Sequence, residues 1–353
     1  MRRVSSTSSS GVGMDFSLLN AVRNHPQSAY GLADVYADYV SDAVLAEEMG
    51  FVRSWYGEHH FRECQWTGSP ILVCTAVAAR TSQLRVGTAV ALLPFHDPIR
   101  VAEDVAICDI LSGGRFDLGI GPGSQYEEFQ SFGIDPKEMV GRTWESIDWI
   151  QRAFQEKGEF SHKGKYYDIP DMTFTTKPVQ DPVPVWYGGM GPKNQARAAE
   201  HGFGFIGPFN PGYDAMLAAA GRNPSDFPVA SMQMIHVADS ADKGWEIAGP
   251  GLEYFVNFYE TRKNLQGEPA PESARVTAEM IRSGNAGFWS AAVGTPDDVI
   301  NALAPFARGD LGRITELACA FRHAGMRNDV VHKSMRLFHE HVQPALQEIA
   351  ATG

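Results

Sequence analysis

The sequence predicts a (β/α)₈ barrel with insertions, an α/β fold, and three observations point there. Short apolar strands alternate with helices from residue 16 to the C-terminal helix, which is the rhythm of βα units rather than of an antiparallel sandwich. Residues 84–93 (LRVGTAVALL) form an almost unbroken apolar run, as a strand buried on both faces of a parallel sheet requires. Eight strands can be placed along the 353 residues, enough to close one barrel. An open, doubly wound sheet is the alternative architecture for the same alternation.

Residues 16–20 supply the first strand and 21–31 a polar loop. Val35, Tyr39, Ala43, Ala46 and Met49 recur at helical spacing and predict a helix over 33–49, closed by Gly50. Strand two is 51–57, and Ser69-Pro70 opens the next helix with an N-cap and a first-turn proline. After strand three at 84–93, a helix over 98–111 ends at Ser112-Gly113-Gly114, and strand four is 115–121. A helix over 142–155 precedes 162–178, a polar and aromatic stretch that suits a loop or small hairpin. Strand five (183–188), a helix (192–201), strand six (203–206), a short helix (214–220) and strand seven (229–237) follow. Residues 239–294 are too long for one crossover and predict a helix over 244–265, then a Gly/Pro-broken insertion. Thr295-Pro296 opens a helix to 307, strand eight is 314–321, and the closing helix is 328–349. The expected organisation is a disordered tail over 1–13 and a single barrel domain over 14–353, with an insertion at about 240–292.

Composition removes several function classes. A formal charge of -12 offers no basic field for phosphates, so nucleic acid is not an expected partner. Four cysteines are scattered without C-x-x-C spacing, which predicts reduced, structural thiols and a cytoplasmic protein. Residues 1–13 hold two Arg and a Ser/Thr/Gly run but no apolar core, unlike a secretory signal. No apolar run reaches transmembrane length, so no membrane association is expected.

The chemistry concentrates in Glu58-His59-His60-Phe61, just beyond strand two. In a barrel that is the C-terminal rim, where such folds place their reactive groups. Adjacent residues of an extended segment point to opposite sides, so one His faces the mouth while its neighbour turns into the wall. That geometry argues against both chelating one metal ion, and no second His or Cys lies at ligand spacing, so no metal site is predicted. A pair of hydrogen-bonded histidines bracing a loop is the competing account. Gly119-Ile120-Gly121-Pro122-Gly123 invites a dinucleotide reading but fails it, because the third glycine position is Ser124. Gly188 to Asn194 joins a strand to a helix start and offers free N–H groups to an anion, although an ordinary βα turn has the same composition. Arg142, at a helix start, is either a second phosphate ligand or a solvated surface Arg. Glu103, amid apolar neighbours, suggests a structural ion pair with Arg100 or Arg115.

Taken together, EHHF at 58–61, the run at 86–123, Phe129 to Gly133 with Arg142 behind it, PVPVWYGGMG at 182–191 and VGTPDDV at 293–299 resemble the bacterial luciferase-like family of flavin-dependent oxidoreductases. The resemblance spans nearly the whole chain from Met14. It implies a (β/α)₈ barrel, usually dimeric, with His59 as the catalytic histidine near the flavin. It places Ala89 and Val90 at a strand-three site that often carries a non-proline cis peptide under the flavin ring. Gly188, Met190, Gly191 and Asn194 match the phosphate-binding turn, Arg142 matches a phosphate-contacting Arg, and Ser124 completes the expected cofactor-binding set. Glu58, His60, Phe61 and Trp66 are the implied substrate-pocket residues. The implied activity is a monooxygenase that takes reduced FMN from a separate NAD(P)H flavin reductase and uses O2 on a small organic substrate, as a homodimer. One position departs. Many FMN-using members carry Arg where this chain has Pro122, and similar GPG sequences occur in relatives using the deazaflavin coenzyme. A deazaflavin-dependent hydride-transfer enzyme is therefore the alternative, with a non-catalytic flavin-binding protein as a third reading and a metal-dependent hydrolase a distant fourth.

Overall fold

The computed structural model describes residues 13–189, 191–207 and 212–352. Residues 1–12 of the expected 1–13 tail and the Met190 assignment lie outside them. Eight parallel strands close a barrel: β1 (Asp15–Asn20), β2 (Arg53–Tyr56), β3 (Arg85–Thr88), β5 (Phe116–Gly121), β8 (Val185–Tyr187), β9 (Gly204–Gly207), β10 (Val229–Val237) and β12 (Glu316–Ala320). β10 pairs with β9 as well as with β12, so the ring of eight strands closes and the open-sheet alternative is excluded. Off this ring lie β4 (Ala91–Leu92), the antiparallel pair β6 (Phe160–Lys163) and β7 (Asp168–Met172), and β11 (Ala291–Gly294) beside the end of β10.

Local chemistry sets the helix ends. Asp97 caps α3 (Pro98–Ser112), accepting from the Ile99 and Arg100 N–H groups, and Gly113 ends it at φ 68°. Thr295 and Asp298 form a reciprocal capping box on α10 (Pro296–Ala307). α2 (Pro70–Ala78) relies on its first-turn proline, because Ser69 makes no capping side-chain hydrogen bond. α1 (Leu32–Glu48), α4 (Tyr126–Phe132), α5 (Met139–Gln155), α6 (Pro192–His201) and α7 (Tyr213–Ala219) follow their strands, and α11 (Asn328–Leu337) and α12 (Gln343–Thr352) close the ring. Glu103 on α3 is half-buried and pairs with the exposed Arg100, so the buried pair expected there is a surface one.

Two departures matter for the site. Strand three is interrupted. Its ladder to β5 runs through Gly87↔Asp117 and resumes at Ala91↔Ile120, one residue longer on its own side, which is a bulge. The cause is Thr88, whose hydroxyl donates to the Gly119 carbonyl (2.6 Å) and accepts from the Gly119 N–H (2.9 Å), taking the place of ladder bonds. The second departure is β11, which an apolar AAVG run does not distinguish from loop. It lies parallel to Met234–Val237, after α8 (Ala241–Glu260) and α9 (Ala278–Arg282).

The barrel floor is ionic. Arg53 donates Nε–H to Asp117 (2.9 Å) and also pairs with Glu316, while Arg85 Nε–H reaches Asp117 at 2.7 Å. Trp55 and Trp186 pack edge-to-face above them, 5.0 Å apart. Gly87 is required there, since a Cβ would fall 2.4 Å from the Trp55 ring. All four cysteines are free and buried. Among the described residues no helix is long and apolar enough to cross a membrane.

Candidate active site

The loop after β2 carries the expected cluster, and alternation divides it as anticipated. His59 is 7% exposed. Its Nδ1 lies 2.9 Å from Glu128 Oε1 on α4, and its Nε2 lies 3.1 Å from the Tyr259 hydroxyl on α8. An ionised carboxylate only accepts, so Nδ1 carries the proton and the Nε2 lone pair faces the phenol. Burial pushes the Tyr259 phenol up to about 12, so it stays protonated and donates to Nε2. The imidazole is walled by Trp66 (4.6 Å between ring centres) and Phe258 (4.8 Å). The same Glu128 oxygen accepts the His60 N–H at 2.8 Å, so one carboxylate fixes both loop and ring.

His60 faces the other way. Its Nε2 lies 2.7 Å from Glu58 Oε1, and His96, from the loop before α3, reaches that oxygen at 2.6 Å. Glu58 Oε2 accepts the Leu92 N–H at 2.9 Å. Burial works to raise the Glu58 carboxyl, but these hydrogen bonds outweigh it and hold it below the ordinary carboxylate range. Burial likewise lowers His96, and Glu58 more than offsets it, leaving His96 above the ordinary histidine value. Ligand atoms of Glu58, His60 and His96 all fall within 4.8 Å of one another, a tertiary cluster that sequence spacing did not reveal. The two short N···O distances are those of hydrogen bonds. Two ligands at tetrahedral angles around an ion about 2.0–2.1 Å away would stand roughly 3.3 Å apart.

Phe61 lies outside the His59 pocket. It has φ 55°, is 67% exposed, and packs on Phe132 (5.4 Å). Its assignment to the pocket wall is replaced by Phe258 and Tyr259, which arrive from α8. In sequence they are two of the aromatics of the long insertion, which suit a cover over the barrel mouth and a pocket wall as well as plain packing of the insertion.

The neighbouring wall runs from β3 to α6. The Ala89–Val90 peptide is cis, at the position the resemblance indicated. Val90 fits between two glycines: a Cβ on Gly121 would fall 2.5 Å from its Cγ2, and one on Gly188 would fall 2.5 Å from its Cγ1. Pro122, Gly123 and Ser124 form the half-buried turn from β5 to α4. α6 begins at Gly191 (φ 109°) with no capping side-chain hydrogen bond, and among the described residues a Cβ there would meet nothing within 4 Å. Its first-turn N–H groups, on Lys193 and Asn194 but not on Pro192, have no partner within the helix. Asn194 in that turn accepts from Trp144 Nε1 of α5 at 3.5 Å. Arg142, two residues before Trp144, is held by Glu138 (2.9 Å) and lies over the Tyr166 ring at 5.2 Å. Among the described residues, the buried Gln125 Nε2 and Glu128 Oε2 of the α4 start lack a partner.

The family model for luciferase-like monooxygenase matches residues 14–312. This chain belongs to the luciferase-like monooxygenase family. Its fold and its enzymatic class follow from that membership. The chain is 31% identical over 299 residues to 4-hydroxyprotoasukamycin monooxygenase of Streptomyces nodosus subsp. asukaensis, covering 77% of this chain and 78% of that protein. It is 26% identical over 294 residues to the oxygenase component of flavin-dependent trigonelline monooxygenase of Acinetobacter baylyi, covering 76% and 79%. Among solved structures, monooxygenase RslO1 from Streptomyces bottropensis superposes with a TM-score of 0.79 at 23% identity, covering 94% of this chain and 99% of that one. An F420-dependent secondary alcohol dehydrogenase with a bound F420-acetone adduct superposes at 0.73 and 18% identity, covering 95% and 99%. The luciferase-like barrel thus has flavin- and deazaflavin-using neighbours.

Proposed function

We propose that this luciferase-like enzyme is the oxygenase of a two-component flavin monooxygenase. It takes reduced FMN from a separate NAD(P)H flavin reductase and uses O2 to oxygenate a small organic substrate. The observation that carries this reading is the imidazole of His59, fixed between Glu128 and Tyr259 beside the Ala89–Val90 wall. The residues present fit a flavin. The uncapped α6 turn with Gly188, Gly191 and Asn194 suits its phosphate, with Arg142 and Ser124 near the same rim. The partnerless atoms of Gln125 and Glu128 suit a polar ligand edge.

Bound reduced flavin supplies the electrons that activate O2. His59 then holds or moves a proton at Nε2, with Glu128 supporting the imidazolium and Tyr259 as donor or exit for that proton. Trp66, Phe255 and Phe258 keep water from the reacting face. The 240–292 segment, read as an insertion in one domain spanning 14–353, gives the mouth its aromatic cover. Leu72 on α2 and Ile107, Ile110 and Leu111 on α3 are exposed apolar residues on two helices packed together, and they support a homodimer through that face. Light scattering that returns a monomer at micromolar concentration would remove the dimer.

Pro122 favours a second reading, since it offers neither a guanidinium nor an N–H to a phosphate. The chain would then use the deazaflavin coenzyme and transfer hydride without oxygen. Anaerobic fluorescence titration with reduced FMN and, separately, with reduced deazaflavin coenzyme decides between them. Selective FMN binding, followed by substrate-dependent O2 consumption with a reductase present, is expected. Selective deazaflavin binding reverses the assignment, and FMN binding without any substrate turnover leaves a flavin-binding protein.

A further inference from the structure

Among the described residues three arginines are buried, and two of them are paired with acids. Arg53 meets Asp117 and Glu316, and Arg322 meets Asp42 and Asp38. The third, Arg23, is 4% exposed and has no carboxylate partner among the described residues. Its Nε and Nη1 are buried without any hydrogen-bond acceptor. Aromatic rings surround it instead: the guanidinium carbon lies 4.8 Å from the Trp66 ring centre, 4.6 Å from Phe255 and 5.8 Å from Tyr254. A guanidinium cannot shed its proton at neutral pH, so this is a desolvated charge held by ring faces alone. A cavity of about 20 Å³ beside it has room for one water, and the carboxylate on its lining, Asp38, is already paired with Arg322.

The position is built. Arg23 lies three residues beyond β1, on the barrel mouth. Two backbone bonds, Asn24 N–H to Cys64 O (2.8 Å) and Thr67 N–H to Val22 O (2.9 Å), fasten its segment to the loop that carries His59 and Trp66. Arg23 and His59 sit against the same indole, at 4.8 and 4.6 Å. The remaining rings of the mouth, Phe255 and Phe258, lie 6.4 and 5.1 Å from that indole.

We propose that Arg23 is the anion anchor of the substrate site, and that the substrate is a small aromatic carboxylate. Its ring packs among Trp66, Phe255 and Phe258, and its carboxylate accepts from the orphaned Arg23 N–H groups. The reacting edge then faces His59. This rests on the preceding reading in placing the substrate beside His59. Leaving such a charge unpaired in the free chain is destabilising, and an incoming carboxylate removes that cost. A neutral amide of the same shape does not, because it brings no charge and presents donors to donors.

The test is isothermal titration of the full chain, without flavin or reductase, against benzoate, salicylate, 1-naphthoate and indole-3-acetate, each paired with its amide. At least one acid is expected to bind about tenfold or more tightly than its amide. Arg23→Gln is expected to erase that preference, and Arg23→Lys to keep the preference for acid at lower affinity. Equal binding of acid and amide throughout the series, or unchanged acid affinity in Arg23→Gln, overturns the proposal and leaves Arg23 as a brace for the aromatic cover. Should Arg23→Gln fail to fold, the wild-type acid–amide comparison and Arg23→Lys still decide. Because no flavin is present, this outcome stands apart from that of the flavin titration.

Discussion

Glu128 gives the sharpest test of how His59 is held. Its Oε1 accepts from His59 Nδ1 at 2.9 Å and from the His60 N–H at 2.8 Å, while Oε2 is buried without a partner. Truncation by Glu128→Ala strands two buried donors, each costing about 1–3 kcal/mol. Relief of a buried carboxylate with an unsatisfied oxygen offsets part of that, leaving a net loss of about 2–3 kcal/mol. Glu128→Gln keeps an acceptor for both donors and puts an amide NH2 in place of the orphaned oxygen, so its loss is about 1 kcal/mol or less. Urea unfolding measures both, and long-range nitrogen–proton NMR of labelled histidine reads the tautomer directly. Wild type and Glu128→Gln are expected to hold the His59 proton on Nδ1, and Glu128→Ala to lose that preference. Equal stability of the two variants, or an Nε2-protonated His59 in wild type, refutes the reasoning.

Two further outcomes follow from neighbouring geometry. His96 is held above its ordinary value by Glu58, so its pairing stabilises the fold below the unfolded histidine value and is lost as pH rises through the folded one. The urea-measured cost of His96→Gln should therefore be larger at pH 6 than at pH 9, and a pH-independent cost counts against the pairing. Gly188→Ala drives a Cβ to 2.5 Å from Val90, an overpacking of about 1–3 kcal/mol that should also weaken FMN binding. Val90→Ala in the same chain should restore stability, and a strictly additive double variant would show that the clash lies elsewhere.

Much of this protein is set by its sequence alone. The alternation of apolar strands and capped helices fixes a parallel α/β fold, because each βα unit buries its faces only by joining a parallel neighbour, while the β9–β10 pairing decides the closed barrel over the open sheet. The rim position of Glu58-His59-His60 and their division to opposite sides follow from the end of β2 and the two-residue period of extended chain. What distance in sequence hides is partnership. Glu128 and Tyr259 reach His59 from α4 and α8, His96 reaches Glu58 from the loop before α3, and no local pattern links residues 69, 200 or 38 positions apart. The interruption of strand three was invisible for a different reason, since LRVGTAVALL is uniformly apolar while Thr88 turns its hydroxyl onto the facing backbone. Arg23 is the clearest case. In sequence it is one arginine in a polar loop, and only closure of the barrel, with α8 laid across the mouth, buries it among rings without an acid to meet its charge.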